Sequence, residues 1–148
     1  MEIGRLTEND LPALAELYRQ FWGEGSCLER MRATFQRLKD DPDYVFLAAK
    51  SDQRLVGSVM GIVCEELYAD CVPFMVVEDV IVDKARRREG IGSALMCELE
   101  KYAAERDCGY ILFVTESERT DAQRFCESLG DKPDAYKGFK KHLRKPEQ

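Results

Sequence analysis

The 148-residue chain has a single histidine, His142, and its six cysteines form no C-x-x-C pair. Cys27, Cys64, Cys71, Cys97, Cys108 and Cys126 are scattered, whereas a zinc site wants clustered Cys and His. No metal is therefore expected, and the thiols read as free groups in a reducing compartment, several of them buried as small hydrophobes. No apolar run approaches the roughly 20 residues of a membrane-spanning helix. The first residues lack the charged-then-apolar pattern of a signal peptide, so a cytoplasmic protein with no membrane partner is expected. Positive charge is short as well. Twenty-two Lys and Arg stand against 28 Asp and Glu, a net charge of −6. That excludes the broad basic face of a general nucleic-acid binder and suits a cationic partner. Repeats, linkers and low-complexity segments are absent, so residues 1–148 read as one domain, long enough to bury a core.

What is present reads in order as a mixed chain. Residues 3–6 make a short strand, and Thr7-x-x-Asp10 is a capping box that opens a helix. Leu11, Leu14, Ala15, Tyr18, Phe21 and Trp22 fall at helical spacing on one face, with Pro12 in the tolerated first turn. Trp22 on that apolar face reads as core. Gly23 and Gly25 break the helix, and Ser26-x-x-Glu29 is a second capping box before Leu28, Met31, Phe35 and Leu38. Residues 44–50 and 55–64 form a hairpin around Ser51-Asp52-Gln53-Arg54. Gly57 and Gly61 inside it signal a bulge or the close approach of another backbone. Residues 65–70 are an acidic loop, read either as a plain solvated connection or as a wall that attracts an amine.

Residues 74–82 are the next strand, which carries Glu78 within its run. Three arginines follow at Arg86, Arg87 and Arg88, then Gly90-x-Gly92, then an apolar stripe at Ile91, Leu95, Leu99, Tyr102 and Ala103. This is a buried strand feeding a basic, glycine-rich turn onto the positive end of a helix, where free backbone N–H groups take an anion. Gly109 is placed to cap that helix. Residues 110–115 form a strand parallel to 74–82 through the crossover. Thr120-x-x-Gln123 opens a last helix ended by Gly130, and residues 136–143 alternate as a final strand. Two common nucleotide signatures fail at the turn. A P-loop needs a lysine after its second glycine, and a dinucleotide fold needs a third glycine where Met96 stands.

Arg87-x-x-Gly90-x-Gly92 after Val80-Ile81-Val82, with Ala122-x-x-Phe125-x-x-x-x-Gly130 downstream, resembles the GNAT family of acyl-CoA-dependent N-acetyltransferases over nearly the whole chain. The resemblance implies an α/β (α+β) fold with a mixed, mainly antiparallel central sheet, a parallel splayed strand pair and helices on both faces. It implies acetyl-CoA as cosubstrate, its pyrophosphate on the backbone of Arg88, Glu89, Gly90, Ile91, Gly92 and Ser93 with charge from Arg87, and Arg86 and Arg88 as further candidates. The pantetheine arm would pair with the backbone of Val80, Ile81 and Val82. Lys84 stands where many relatives have proline.

The implied reaction is direct acetyl transfer to the primary amine of a small molecule, cationic amines included. A protonated amine is no nucleophile, so a base must take its proton. Glu78 is the candidate, with burial among Phe74, Val76 and Val77 raising its pKa toward neutrality; a glutamate paired with an arginine is the plainer reading. Cys126 stands where relatives carry a tyrosine that protonates the departing thiolate. A thiol donor, solvent and Tyr136 are the alternatives, and Arg119 replaces a frequent asparagine. A non-catalytic acyl-CoA-binding module and a protein lysine or N-terminal acetyltransferase remain alternative functions. Relatives often dimerise, which leaves a homodimer open.

Overall fold

The computed structural model describes residues 1–114, 124, 127, 130, 138 and 140–144. The chain divides into two compact units, Met1–Phe113 and Val114–Gln148. The first contains strands β1 (Glu2–Arg5), β2 (Tyr44–Ser51), β3 (Arg54–Cys64), β4 (Phe74–Val82) and β5 (Ile111–Phe113). Its helices are α1 (Leu11–Trp22), α2 (Leu28–Leu38) and α3 (Ile91–Glu105). The sheet order is β1-β2-β3-β4-β5. All neighbours run antiparallel except β4 and β5, which are parallel. The mixed fold expected from the sequence is therefore present.

Local chemistry explains most of these elements. The Asp10 carboxylate accepts from both the backbone N–H and the hydroxyl of Thr7 at 2.8 Å. The expected capping box thus forms, although it starts a short 3-10 turn and the α-helix follows from Leu11. Gly23 ends α1 at φ 77°, its N–H donating to the Arg19 carbonyl. The second box does not form: Cys27 is the N-cap of α2 and no side chain bonds there. Two residues, Asp52 and Gln53, join β2 to β3 with φ of 50° and 64°, the paired left-handed conformation that matches strand twist in a tight hairpin. Gly109 does not cap α3. The helix ends at Glu105, Asp107 takes the left-handed conformation at φ 55°, and the Gly109 N–H donates to Pro73 instead.

The sheet separates two packing layers. On one face Ala48, Leu55 and Ile81 pack with Leu6, Leu11, Leu14, Leu17 and Phe35 beneath α1 and α2. On the other, α3 lies so close that a Cβ on Gly61 would fall 2.8 Å from Leu99 and 2.9 Å from Val45. One on Gly57 would lie 3.0 Å from both the Ile81 carbonyl oxygen and Ile91. The two strand glycines are thus the close approach their positions signalled. The expected burial of Trp22 is overturned: 51% of its surface is exposed. Leu11, Leu14 and Leu17 occupy the buried stripe of α1, and the last turn carries Trp22 beyond it.

In the second unit, Arg124 and Glu127 are helical, and Gly130 at φ 89° donates to the Glu127 carbonyl, as expected of a glycine-ended helix. The described part of the expected last strand, residues 138 and 140–143, is not in a strand. Gly138, Lys140 and Lys141 are residue types depleted in strands, and the alternation there is not one of buried surface.

Candidate active site

The site begins where β4 loses a neighbour. β3 pairs with β4 along its length, from Cys64 opposite Phe74 to Gly57 opposite Val82. β5 pairs only with Met75, Val76 and Val77. From Glu78 onward, through Val80, Ile81 and Val82, the β5 side of β4 has no strand partner among the described residues. An unpaired strand edge is a template for an extended ligand.

At the same point β4 gains a residue. Ser58 lies opposite Ile81 but Met60 lies opposite Glu78, so three steps on β4 match two on β3. Asp79 absorbs the extra length at φ 54°, a conformation that Asp tolerates better than most residues. The bulge changes which face the strand buries. Val77, opposite Gly61, turns toward α3, whereas Ile81 packs under α1.

Beyond Val82 the chain enters the basic turn. The Asp83 carboxylate accepts from the Ala85 N–H at 3.0 Å. Arg88 and Gly90 both take positive φ, 67° and 77°, and Gly90 is the N-cap of α3 with no side-chain bond at the cap. The N–H groups of Ile91, Gly92 and Ser93 have no acceptor within the helix and carry its positive dipole end. The arginines differ. Arg86 bonds both oxygens of Glu89 at 2.7 and 2.9 Å, so the turn neutralises its own carboxylate. The Arg87 guanidinium lies over the Phe21 ring at 5.9 Å. Arg88 has no charge partner among the described residues.

Glu78 is exposed rather than buried among Phe74, Val76 and Val77. Met75 and Val77 turn into the core at 0% and 3% exposure, and pleating directs Glu78 to the opposite face, beyond the reach of the α1–α2 cover. Two acidic and aromatic neighbours complete the picture. Tyr18 of α1 is close enough to Asp79 that, after burial itself, the aspartate charge helps to push the phenol well above the usual tyrosine range. Tyr18 contacts Trp22 at 5.4 Å between ring centroids, and Trp22 meets Phe21 edge-on at 4.8 Å.

The structure thus brings Glu78, Val80, Ile81, Val82 and the turn from Arg87 to Ser93 onto one continuous strand, turn and helix. Thr115, Arg119, Cys126 and Tyr136 lie outside the described residues. Sequence reading missed Asp79, Tyr18 and Phe21. The visible signal was Asp79 itself, a second acid in an apolar strand. No cluster of three His, Cys, Asp or Glu that could hold a metal occurs among the described residues. A cavity of about 360 Å³ lies elsewhere, between α1 and the β2–β3 turn. Its Asp10 and Glu16 are already bonded to Lys50 and Arg19.

Several known proteins share this architecture. A glucosamine-6-phosphate N-acetyltransferase from Arabidopsis thaliana matches with TM-score 0.86 and 18% identity, over 97% of this chain and 98% of that one. An aminoglycoside acetyltransferase from an uncultured soil metagenomic sample, in complex with sisomicin, matches with TM-score 0.76 and 22% identity, over 99% and 96%. A transcriptional regulator from Bacillus halodurans C-125 matches with TM-score 0.83 and 28% identity, over 96% and 99%. A search of curated proteins returned no match. The sequence profile of the "Acetyltransferase (GNAT) family" aligns to residues 11–131. That span runs from the first turn of α1 through the open edge and the anion turn, so the chain belongs to the GNAT family of acetyltransferases.

Proposed function

We propose that the protein transfers the acetyl group of acetyl-CoA directly to the primary amine of a small molecule, with Glu78 as general base. The family generally uses acetyl-CoA, and the residues here suit it. The carrying observation is a single juxtaposition: Glu78 stands where β5 leaves β4, and the open backbone edge runs from there into an uncapped helix N-terminus. An extended amide-bearing arm matches the edge, and a diphosphate matches the free N–H groups with Arg87 and Arg88 alongside. The acceptor class rests on two relatives whose names specify amino sugars, glucosamine-6-phosphate and an aminoglycoside.

Bound acetyl-CoA supplies the electrophilic thioester carbonyl. The chain supplies the rest. Glu78, exposed at the mouth of the open edge, takes the ammonium proton directly or through one water, which leaves the nitrogen lone pair free to attack the thioester carbonyl; the carbon–sulfur bond then breaks and coenzyme A leaves as a thiolate that takes its proton from solvent. The edge of β4 and the turn hold the donor so that the encounter is intramolecular, which is where much of the rate gain from positioning arises.

Isothermal titration with acetyl-CoA followed by thiol release across a panel of amines, including a lysine peptide, tests this reading. Saturable binding and turnover of small amines are expected. Binding without turnover of any amine would favour an acyl-CoA-binding module, turnover of the peptide alone a protein acetyltransferase, and no binding would overturn the proposal.

A further inference from the structure

The three arginines of the basic turn look alike in sequence, but the fold holds each differently. Arg86 bonds both oxygens of Glu89, so its charge is already answered. Arg88 takes a left-handed backbone at φ 67°. Arg87, which opens the glycine signature, is exposed on an extended backbone at φ −66° and ψ 152°, and its guanidinium lies over the Phe21 ring at 5.9 Å. A ring attracts a cation without supplying a counter-charge, so the fork of N–H donors is left for oxygen acceptors. The support is firm. Phe21 packs against the core cluster that contains Leu14, Leu17 and Ile81, and Trp22 meets it edge-on at 4.8 Å. Its neighbour Gln20 ties the same two elements together, with the side-chain oxygen accepting from the Lys84 N–H at 3.3 Å. The last turn of α1 thus holds the basic turn at two points, and the cluster behind Phe21 also carries Ile81 of the open edge. A long side chain on an exposed turn otherwise samples many rotamers, and ordering it on binding costs affinity.

We infer that Phe21 is a positioning residue for the acetyl donor: its ring holds the Arg87 guanidinium ready for the diphosphate of acetyl-CoA, so that part of the ordering precedes binding. This deepens the acetyltransferase reading and rests on it for the identity of the anion. Phe21 acts through Arg87 and needs no contact with the reacting atoms. Its effect is therefore confined to donors that carry the diphosphate, and to proteins that carry the arginine.

Isothermal titration of acetyl-CoA into the parent, Phe21→Leu, Phe21→Tyr, Arg87→Gln and the double variant Phe21→Leu with Arg87→Gln tests this. Leucine keeps an apolar side chain against the core but removes the ring. Phe21→Leu is expected to raise the Kd about two- to fivefold, the scale of an exposed cation–ring contact, and Phe21→Tyr to keep the parent value. In the Arg87→Gln background Phe21→Leu is expected to add nothing, because the cation it holds is gone. A general loosening of α1 would weaken binding in both backgrounds alike. S-acetylpantetheine offers the same thioester and arm without the diphosphate, and kcat/KM with this donor is expected to be unchanged by Phe21→Leu. An unchanged Kd for acetyl-CoA in Phe21→Leu, an equal loss in the two backgrounds, or an equal loss of kcat/KM with the two donors would each overturn the inference. Each of these leaves the acetyltransferase reading standing, since the parent still binds acetyl-CoA. A parent that binds no acetyl-CoA would overturn both.

Discussion

Met75 to Val77 and Val80 to Val82 are two halves of one strand, and in sequence they look alike: short apolar runs, mostly β-branched. In the fold they do opposite things. The first half is paired on both sides and buries Met75 and Val77 against α3. The second is paired on one side only among the described residues and turns Ile81 to the other face, under α1. The change happens across Glu78 and Asp79, where β5 leaves and the bulge inserts. The stable half makes the sheet, and the half whose regularity is broken keeps backbone free for a ligand. Bulges next to functional sites commonly have this role of ending a pairing or re-aiming a side chain.

The sharpest way to separate the two halves is at their junction. Glu78→Gln is expected to lower turnover by about 100-fold or more, the scale of general-base catalysis, and to flatten the rise of rate with pH while acetyl-CoA still binds. An unchanged pH–rate profile would remove Glu78 as the base.

Next in size is one substitution made opposite each half. A Cβ at Gly61, opposite Val77, meets only side-chain atoms, whereas at Gly57, opposite Val82, it also presses on the Ile81 carbonyl oxygen at 3.0 Å. Each alanine variant is expected to lose about 1–3 kcal/mol by overpacking. Only Gly57→Ala should also weaken acetyl-CoA binding, because it displaces the backbone of the open half. Urea melts and calorimetric titration of both variants check this, and equal acetyl-CoA affinities would break the distinction.

A smaller effect concerns Tyr18 beside the bulge. Burial first, and the Asp79 charge second, raise its pKa above the usual 10.0. The unfolded chain therefore loses this proton before the folded one does. The associated stability is present below pH 10.0 and declines as pH climbs from there toward the raised folded value. Tyr18→Phe should remove that decline, seen as a shallower fall of the urea midpoint from pH 9 to 11.

The smallest effect lies far from the open edge, at the start of α1. Burial acts to raise the Asp10 pKa, but bonds from Lys50 and Thr7 and the Lys50 charge outweigh it and leave it below 3.8. The stability is therefore present above 3.8 and lost as pH falls through the lower folded value. Asp10→Asn should be less stable than the parent at pH 7, with the gap closing in acid and acetyl-CoA affinity unchanged throughout.

Elements with local causes were legible in advance. The capping box at Thr7 and Asp10, the two-residue hairpin turn, the stripe of α3 and the glycine signature each rest on residues a few positions apart. Misreadings arose where distant residues decided. Trp22 lies open because α1 runs past its cover, and Glu78 because its pleat direction and the limit of the α1–α2 layer are set by other segments. Gly109 gave up the helix cap because its N–H is taken by Pro73, more than thirty positions away.

By itself the sequence determined the order of strands and helices and an anion-binding turn of the acetyltransferase kind, since periodicity, capping and glycine placement are short-range properties of the chain. Only the tertiary structure decided that β5 stops after Val77, that Asp79 carries the bulge, and that Tyr18, Phe21 and Trp22 gather into one aromatic cluster on α1. Register and pairing length are settled between segments remote in sequence, by which side chains fit beneath α1 and which beneath α3, and no local pattern contains that fit.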